Sequence, residues 1–100
     1  MDKLLEKRTS VSAGEFPKLV KCSWPLGRVT LYRDRIVLDA RMEKYELLFS
    51  EIDYCQFNFI QVNIEHHNPS LPRDLSIDGV FISRIIKQTI AQHDLPVEVR

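Results

Sequence analysis

The sequence predicts a mostly β protein with one C-terminal α-helix, in which about seven short antiparallel strands form a partly open barrel capped by the helix. Two periodicities carry this prediction. Between residues 16 and 77, apolar side chains alternate with polar ones in short runs, which is typical of half-buried strands. From Phe81 onward the apolar residues recur at i, i+1, i+4 and i+5, which is the pattern of an amphipathic helix. With 100 residues, 44% of them hydrophobic, the chain supports one domain with its own core.

The predicted strands follow one another with short connections. They cover residues 16–24, 28–32, 35–40, 45–49, 52–59, 60–65 and 75–77. The segment Trp24-Pro-Leu-Gly predicts a turn, because its proline fixes one backbone dihedral and its glycine frees another. Arg33 and Asp34 predict the tip of a hairpin. The alternation slips by one residue between Phe59 and Ile60, which predicts a bulge or a turn there.

The last predicted element is the helix, with Asp78 as its N-cap and its end near His93 and Asp94, ahead of Pro96. Its apolar stripe is expected to face the core. In that arrangement Ile82, Ile85 and Ile86 pack against strand residues such as Val29, Leu31, Phe57 and Val62.

The two ends of the chain lack a sustained period. Residues 1–14 mix charged with small polar side chains, and we expect a flexible N-terminal arm there. The domain is expected to span residues 15–94, with residues 95–100 as a C-terminal tail. Val97 and Val99 alternate in that tail, so it either adds a strand to a neighbouring chain or is a frayed end.

The charges and cysteines bound the class of protein. Fourteen basic residues balance fourteen acidic ones, which argues against nucleic-acid binding driven by phosphate attraction. Residues 18–35 are mainly basic and residues 43–78 mainly acidic, which indicates either a polarised molecule or two solvated faces. Cys22 and Cys55 form no CxxC pair and fall on apolar strand faces, so we expect reduced thiols and a cytoplasmic location. No apolar run reaches the roughly 18 residues of a membrane span, and no signal peptide is recognisable.

No group of residues in the sequence predicts catalysis. His66 and His67 are adjacent, so on a strand they point to opposite faces and cannot be aimed at one ion. No histidine or cysteine stands at a metal-ligand spacing, and neither cysteine has a recognisable base. Glu51 and Asp53 flank the start of a strand, where solvated acids are common. We therefore predict no enzyme activity, no metal and no cofactor.

Two segments resemble a known family. The run VTLYRDRIVL from Val29 to Leu38, followed by LLFSEIDY from Leu47 to Tyr54, is similar to the pattern of bacterial pleckstrin-homology-like domains and the related GRAM group. The resemblance covers roughly residues 16–93. It implies a pleckstrin-homology-like fold (PH-like below) and a non-catalytic protein-interaction or scaffolding module.

The same resemblance implies candidate lipid contacts. Eukaryotic members of the wider fold bind phosphoinositides through a lysine of the first strand and a basic-x-Arg pair of the second. Lys18 and Lys21 match the first role and Arg28 the second, whereas Thr30 stands where the pair needs an arginine. We therefore expect weak binding of phosphoinositides, or none.

Three functions remain open at this stage. In the first, the chain is a protein-interaction module that forms a homo-oligomer through sheet edges or its tail, with Trp24 and Leu26 exposed as contact anchors on their turn. Folding of Trp24 back over the barrel edge is the alternative at that position. In the second, the basic hairpin docks the chain on anionic lipid. The third is a small-ligand barrel or an enzyme.

Overall fold

The computed structural model describes residues 3–14, 19–79 and 81–100. These ranges form seven strands, a short 3-10 turn and one helix. They are β1 (Leu5–Ala13), β2 (Val20–Leu31), β3 (Arg35–Ala40), β4 (Glu43–Leu48), the turn Phe49–Glu51, β5 (Ile52–Phe57), β6 (Gln61–His66), β7 (Leu75–Asp78) and α1 (Ile82–Gln92). The strands make one antiparallel sheet in the order β4-β3-β2-β1-β7-β6-β5, which curls into a half-barrel. The predicted fold class is confirmed.

The core lies on the inner face of the curled sheet. Registers between neighbouring strands set apolar side chains side by side in rows, because residues directly opposite each other share a face. One row joins Val11, Ile77, Val62 and Phe57, and the next joins Ala13, Leu75, Ile64 and Cys55. The outer face of the same strands carries serine, asparagine and glutamine.

Helix α1 packs mainly against β1, β6 and β7 on that inner face. Ile82 and Ile86 are buried as predicted, whereas Ile85 is only half-buried at the rim. The hydroxyl of Ser83 donates to the carbonyl oxygen of Asn58 at 2.7 Å, which fixes the start of the helix to the β5–β6 turn.

The prediction of Asp78 as the helix N-cap is wrong. The helix begins after Phe81, and its N-cap position makes no side-chain hydrogen bond. Asp78 instead ends β7, where it pairs with Ser10 on one side and Gln61 on the other. Its carboxylate accepts hydrogen bonds from Ser12 Oγ at 3.2 Å and from Gln61 Nε2 at 2.8 Å, so the sheet holds it away from the helix.

The expected N-terminal arm is also wrong over Leu5–Ala13, which form β1 at the centre of the sheet between β2 and β7. The strand buries only Thr9, Val11 and Ala13. These side chains are small, so the alternation in this segment is a weak signal against its many charges.

Two predicted strands, 16–24 and 28–32, correspond to the single strand β2 over the described residues. Thr9 of β1 lies opposite Gly27 and Val11 opposite Cys22, so Ser23 to Leu26 bulge out opposite Ser10 alone. The backbone N–H of Trp24 donates to Ser10 Oγ at 2.8 Å. The predicted turn is thus an outward bulge inside a strand, and the Trp24–Pro25 peptide is cis.

Two other predicted turns are confirmed. The N–H of Tyr32 donates to the carbonyl of Arg35 at 2.9 Å, which leaves Arg33 and Asp34 at the tip of the β2–β3 hairpin. The N–H of Asn58 donates to the carbonyl of Gln61 at 3.0 Å, which leaves Phe59 and Ile60 at the tip of the β5–β6 hairpin.

The C-terminal tail is neither frayed nor directed at a neighbour. Leu95 is buried, and the tail then runs parallel to β5. The N–H of Cys55 donates to the carbonyl of Glu98 at 2.8 Å, and the N–H of Arg100 donates to the carbonyl of Cys55 at 2.9 Å. The tail therefore closes the outer edge of β5. In the part of the chain that the structure describes, no helix has the length and hydropathy to cross a bilayer.

Candidate binding surfaces

The two predicted lipid contacts that the structure describes, Lys21 and Arg28, do not form one cluster. Lys21 and Arg28 lie on β2 on opposite sides of the bulge, where they face Ser12 and Arg8 of β1. Lys18 lies outside the described residues. Thr30 is buried, so the second basic position of the family pattern is not a surface position in this chain.

The bulge presents the predicted contact anchors to solvent. Trp24 is 68% exposed and Leu26 is 55% exposed. The reason is that Ser23 to Leu26 lie outside the β1–β2 register, in which Ser10 alone stands opposite these four residues. The alternative in which Trp24 folds back over the barrel edge is therefore wrong. The other predicted contacts, Val97 and Val99, are half-buried against the chain's own core and are not presented to a neighbour.

Three further exposed apolar residues lie at the same end of the molecule as the bulge. Phe59 is 79% exposed, Phe81 is 72% exposed, and Ile60 stands beside Phe59 at the hairpin tip. Cations surround this apolar set. We call the whole surface the apolar-basic end; it comprises Trp24, Phe59, Ile60 and Phe81 with Lys7, Arg8, Lys21, Arg84 and Lys87.

Three grooves show that this surface is continuous. A groove of about 270 Å³ between β1 and α1 brings Trp24 and Phe81 together with Lys7 and Arg8. Phe81 also lines a second groove, which continues to Phe59, Arg84 and Lys87. A third groove shares Asp78 and Gly79 with the first and extends the surface to Lys21 and Ile60.

The electrostatics of the apolar-basic end are one-sided. Its five cations make no ion pair with a carboxylate of the described residues. Asp78 lines the first and third grooves and is the one acidic residue among the described residues that line the three; its carboxylate accepts hydrogen bonds from Ser12 and Gln61, which are neutral, so it keeps its charge. An apolar centre within a rim of five cations and one carboxylate suits an anionic partner that also has an apolar interior.

Sequence reasoning missed Phe59 and Phe81 as surface residues. Phe59 ends the predicted strand 52–59, and Phe81 begins the predicted apolar stripe of the helix. The slip at Phe59–Ile60 contained a usable signal, because two consecutive apolar residues at a two-residue hairpin tip cannot both reach a core. Phe81 offered no such signal, since its exposure follows from where the helix begins.

The residues weighed for catalysis have structural partners. His66 Nε2 donates to the carbonyl of Pro72 at 2.8 Å, while its Nδ1 accepts the N–H of Asn68 at 3.1 Å. His67 Nδ1 lies 2.9 Å from Asp53 Oδ1. Glu51 accepts the N–H of Leu48 at 2.9 Å and the Asn68 side-chain amide at 2.8 Å. These contacts order the β6–β7 loop and the turn after β4.

Both cysteines are free and buried on the inner face, as predicted. Burial raises the pKa of the Cys55 thiol to about 12. The thiolate is the nucleophilic form of cysteine, so Cys55 stays unreactive at neutral pH and acts as an apolar core residue.

The sequence matches no protein-family model and no curated protein. Function is therefore inferred from the exposed surfaces of the chain, of which the apolar-basic end is the most extensive described in this section.

Proposed function

We propose that this chain is a non-catalytic, PH-like binding module that docks on anionic membrane surfaces through its apolar-basic end. The single observation that carries the proposal is the continuous surface on which exposed Trp24, Phe59 and Phe81 are ringed by cations that form no ion pair with another described residue. The PH-like assignment is supported by the agreement in plan between the resemblance and a curled antiparallel sheet followed by one C-terminal helix.

The two components of the surface supply two kinds of attraction. Each lysine or arginine held near an anionic leaflet contributes about 1 kcal/mol, and this contribution is screened within a Debye length. Aromatic side chains that enter the headgroup region add apolar burial at about 25 cal/mol per Å². Stable attachment takes two such signals together, and the apolar-basic end combines them on one surface.

The proposed attachment has no headgroup specificity. Thr30 is buried at the position where a phosphoinositide site needs its second basic residue, and Lys21 and Arg28 are separated by the bulge. We therefore expect affinity to follow the density of negative charge in the membrane, with no preference for phosphoinositides at equal charge.

The non-catalytic part of the proposal is supported by the contacts of the candidate acid–base residues. Glu51, Asp53 and His67 are each engaged in hydrogen bonds that order loops. The raised pKa of Cys55 removes the buried thiol of β5 from nucleophilic chemistry.

The test uses the fluorescence of Trp24, which is the one tryptophan of the chain. Vesicles of phosphatidylcholine alone are compared with vesicles that also contain phosphatidylserine, at low and at physiological salt. We expect a blue shift of the emission and co-sedimentation with the anionic vesicles, both weakened by salt. No shift and no co-sedimentation at low salt would overturn the proposal.

Matched variants locate the surface. Phe59→Ser with Phe81→Ser, and separately Lys21→Glu with Lys87→Glu, should each weaken vesicle binding about tenfold or more. The controls Leu48→Ser and Arg73→Glu change an exposed leucine and an exposed arginine that line none of the three grooves, and should leave binding unchanged. Equal loss in the controls would mean that the attachment does not use the apolar-basic end.

A further inference from the structure

The two edges of the sheet differ in what covers them. The tail hydrogen bonds along β5, whereas the outward side of β4 bonds to no backbone group within the described ranges. An exposed strand edge is a template for another strand, because its outward N–H and C=O groups lack partners.

The contacts around β4 identify which groups face outward. The N–H of Phe49 donates to the carbonyl of Asp34 at 2.9 Å, toward β3. Because bonding direction alternates along an antiparallel pair, Tyr45 also bonds toward β3 while Lys44 and Glu46 direct their backbone groups outward. Leu48 is the next residue of this outward-facing set, and its N–H donates to the Glu51 carboxylate at 2.9 Å. The usable edge is therefore short and is centred on Tyr45.

We propose that a second copy of this chain pairs with that edge, so that two β4 strands run antiparallel about a two-fold axis at Tyr45. This register sets Lys44 of each copy opposite Glu46 of the other, with the outward backbone groups of both residues in hydrogen-bonding position. It makes two attractive cross-strand pairs in each dimer.

The neighbouring registers are excluded by the same side chains. A symmetric shift to either side sets Lys44 opposite Lys44 or Glu46 opposite Glu46, and like charges directly opposite are destabilising. A shift by one residue sets an outward-bonding residue opposite one that already bonds to β3. The charge pattern of β4 is thus self-complementary in one register.

The apolar residues at the two ends of β4 fit this register. Met42 is 88% exposed just before the strand and Leu48 is exposed at its last position. Neither belongs to the apolar-basic end. Antiparallel pairing brings Met42 of one copy toward Leu48 of the other, at both ends of the shared sheet.

Glu46 also has a partner within its own chain. Its Oε1 lies 2.7 Å from Arg35 Nε, as an ion pair without a directed hydrogen bond. Lys44 has no such pair among the described residues, but Asp39 of β3 lies directly opposite it, so each of the two charge reversals also alters a contact within its own chain.

The experiment measures mass by sedimentation equilibrium from micromolar to millimolar protein, without lipid. The wild-type chain is expected to form dimers. Lys44→Glu and Glu46→Lys should each weaken dimerisation about tenfold or more, since each reversal turns two attractive pairs into repulsive ones. An equimolar mixture of the two variants should dimerise again, and so should the doubly exchanged chain, because opposite charges then face each other. Arg73→Glu is the control for net charge, and a thermal melt of each variant checks its fold.

Several results would overturn this inference. They are a wild-type chain that stays monomeric at millimolar concentration, a Lys44→Glu variant that dimerises as tightly as wild type, and a mixture of the folded variants that stays monomeric. A dimer that survives both reversals but is lost on deletion of residues 95–100 would assign association to the β5 side and reject the β4 edge. Because no membrane is present, the outcome is independent of the proposed lipid attachment.

Discussion

The halves of the sheet on either side of β1 are completed in different ways. Strands β6 and β7, together with β1, carry the helix on their inner face, and β5 carries the C-terminal tail along its outer edge. Among the described residues, the edge of β4 on the other side has no such cover apart from the Glu51 carboxylate on the N–H of Leu48. The difference shows that one edge of a curled sheet is closed by residues 95–100 while the outward backbone groups of the other stay without a backbone partner in the described ranges.

The largest expected effect comes from disrupting the packing of α1 on the sheet. Ile86 is buried between α1 and the sheet, and Ile86→Asp places a charge there without a partner. We expect the domain to unfold, because the cost of about 4 kcal/mol or more is comparable with the total stability of a small domain. Circular dichroism during thermal melting measures this, with Lys87→Asp on the exposed face of the helix as the control. A cooperative melt of Ile86→Asp within a few degrees of wild type contradicts the packing of the helix.

Deletion of residues 95–100 should make the two edges alike. The deletion removes buried Leu95 and the backbone hydrogen bonds of the tail to β5, at a cost of about 3–6 kcal/mol. The exposed β5 edge should also self-associate beyond dimers. Denaturant titration measures the first effect and light scattering the second. Leu95→Ala alone separates them, because it removes core packing and leaves the edge covered. Unchanged stability after the deletion would show that the tail does not close β5.

Gly27 lies where the bulge returns β2 to the sheet, at the boundary of the two halves. A Cβ at this position would collide with the carbonyl oxygen of Thr9. Gly27→Ala should therefore destabilise the domain by about 1–3 kcal/mol, as overpacking does. Denaturant unfolding is the measurement. If Gly27→Ala unfolds at the same denaturant concentration as wild type, the bulge can relax and the two halves are less tightly joined than described.

The smallest expected effect is a pH dependence of the folding stability that comes from Cys55 in β5. Burial raises the pKa of Cys55 from an ordinary value near 9 to about 12. Only the unfolded chain loses this proton between those values, so the contribution of Cys55 is complete below pH 9 and is lost as the pH rises to about 12. From pH 9 to pH 10 the loss should be about 1 kcal/mol. Denaturant titrations at the two pH values measure it, and Cys55→Val should remove that part of the slope. An equal slope in Cys55→Val would assign the effect to other groups.

Sequence periodicity predicted the elements in which apolar side chains recur at the regular spacing of a helix or a strand. The apolar stripe of α1 and the alternation in β3 are long enough to identify a helix and a strand. It failed at β1, where Thr9, Val11 and Ala13 are small and the charged residues before them resemble a solvated arm. It also failed at Asp78. An aspartate shortly before a helix fits the sequence pattern of an N-cap whether it caps the helix or, as here, belongs to a strand that pairs on both sides.

The candidate surfaces were predictable only in part. The proline and glycine around Trp24 indicated an outward segment, and the exposure of Trp24 was one of two expected outcomes. That Phe81, Phe59 and Lys21 belong to one surface was not predictable, since these residues come from the position before α1, a hairpin tip and β2. The roles of Val97 and Val99 were misread, because their alternation fits a strand added within the chain as well as one added to a neighbour.

The sequence by itself determined the fold class, the β2–β3 and β5–β6 turns and the position of the helix, because periodicity and turn chemistry act over a few residues. Only the tertiary structure decided that β1 lies at the centre, that the tail closes β5 while β4 stays open, and that scattered aromatic and basic residues share one surface. These features depend on pairing between segments far apart in the chain, and a local pattern of polar and apolar residues is compatible with more than one such pairing.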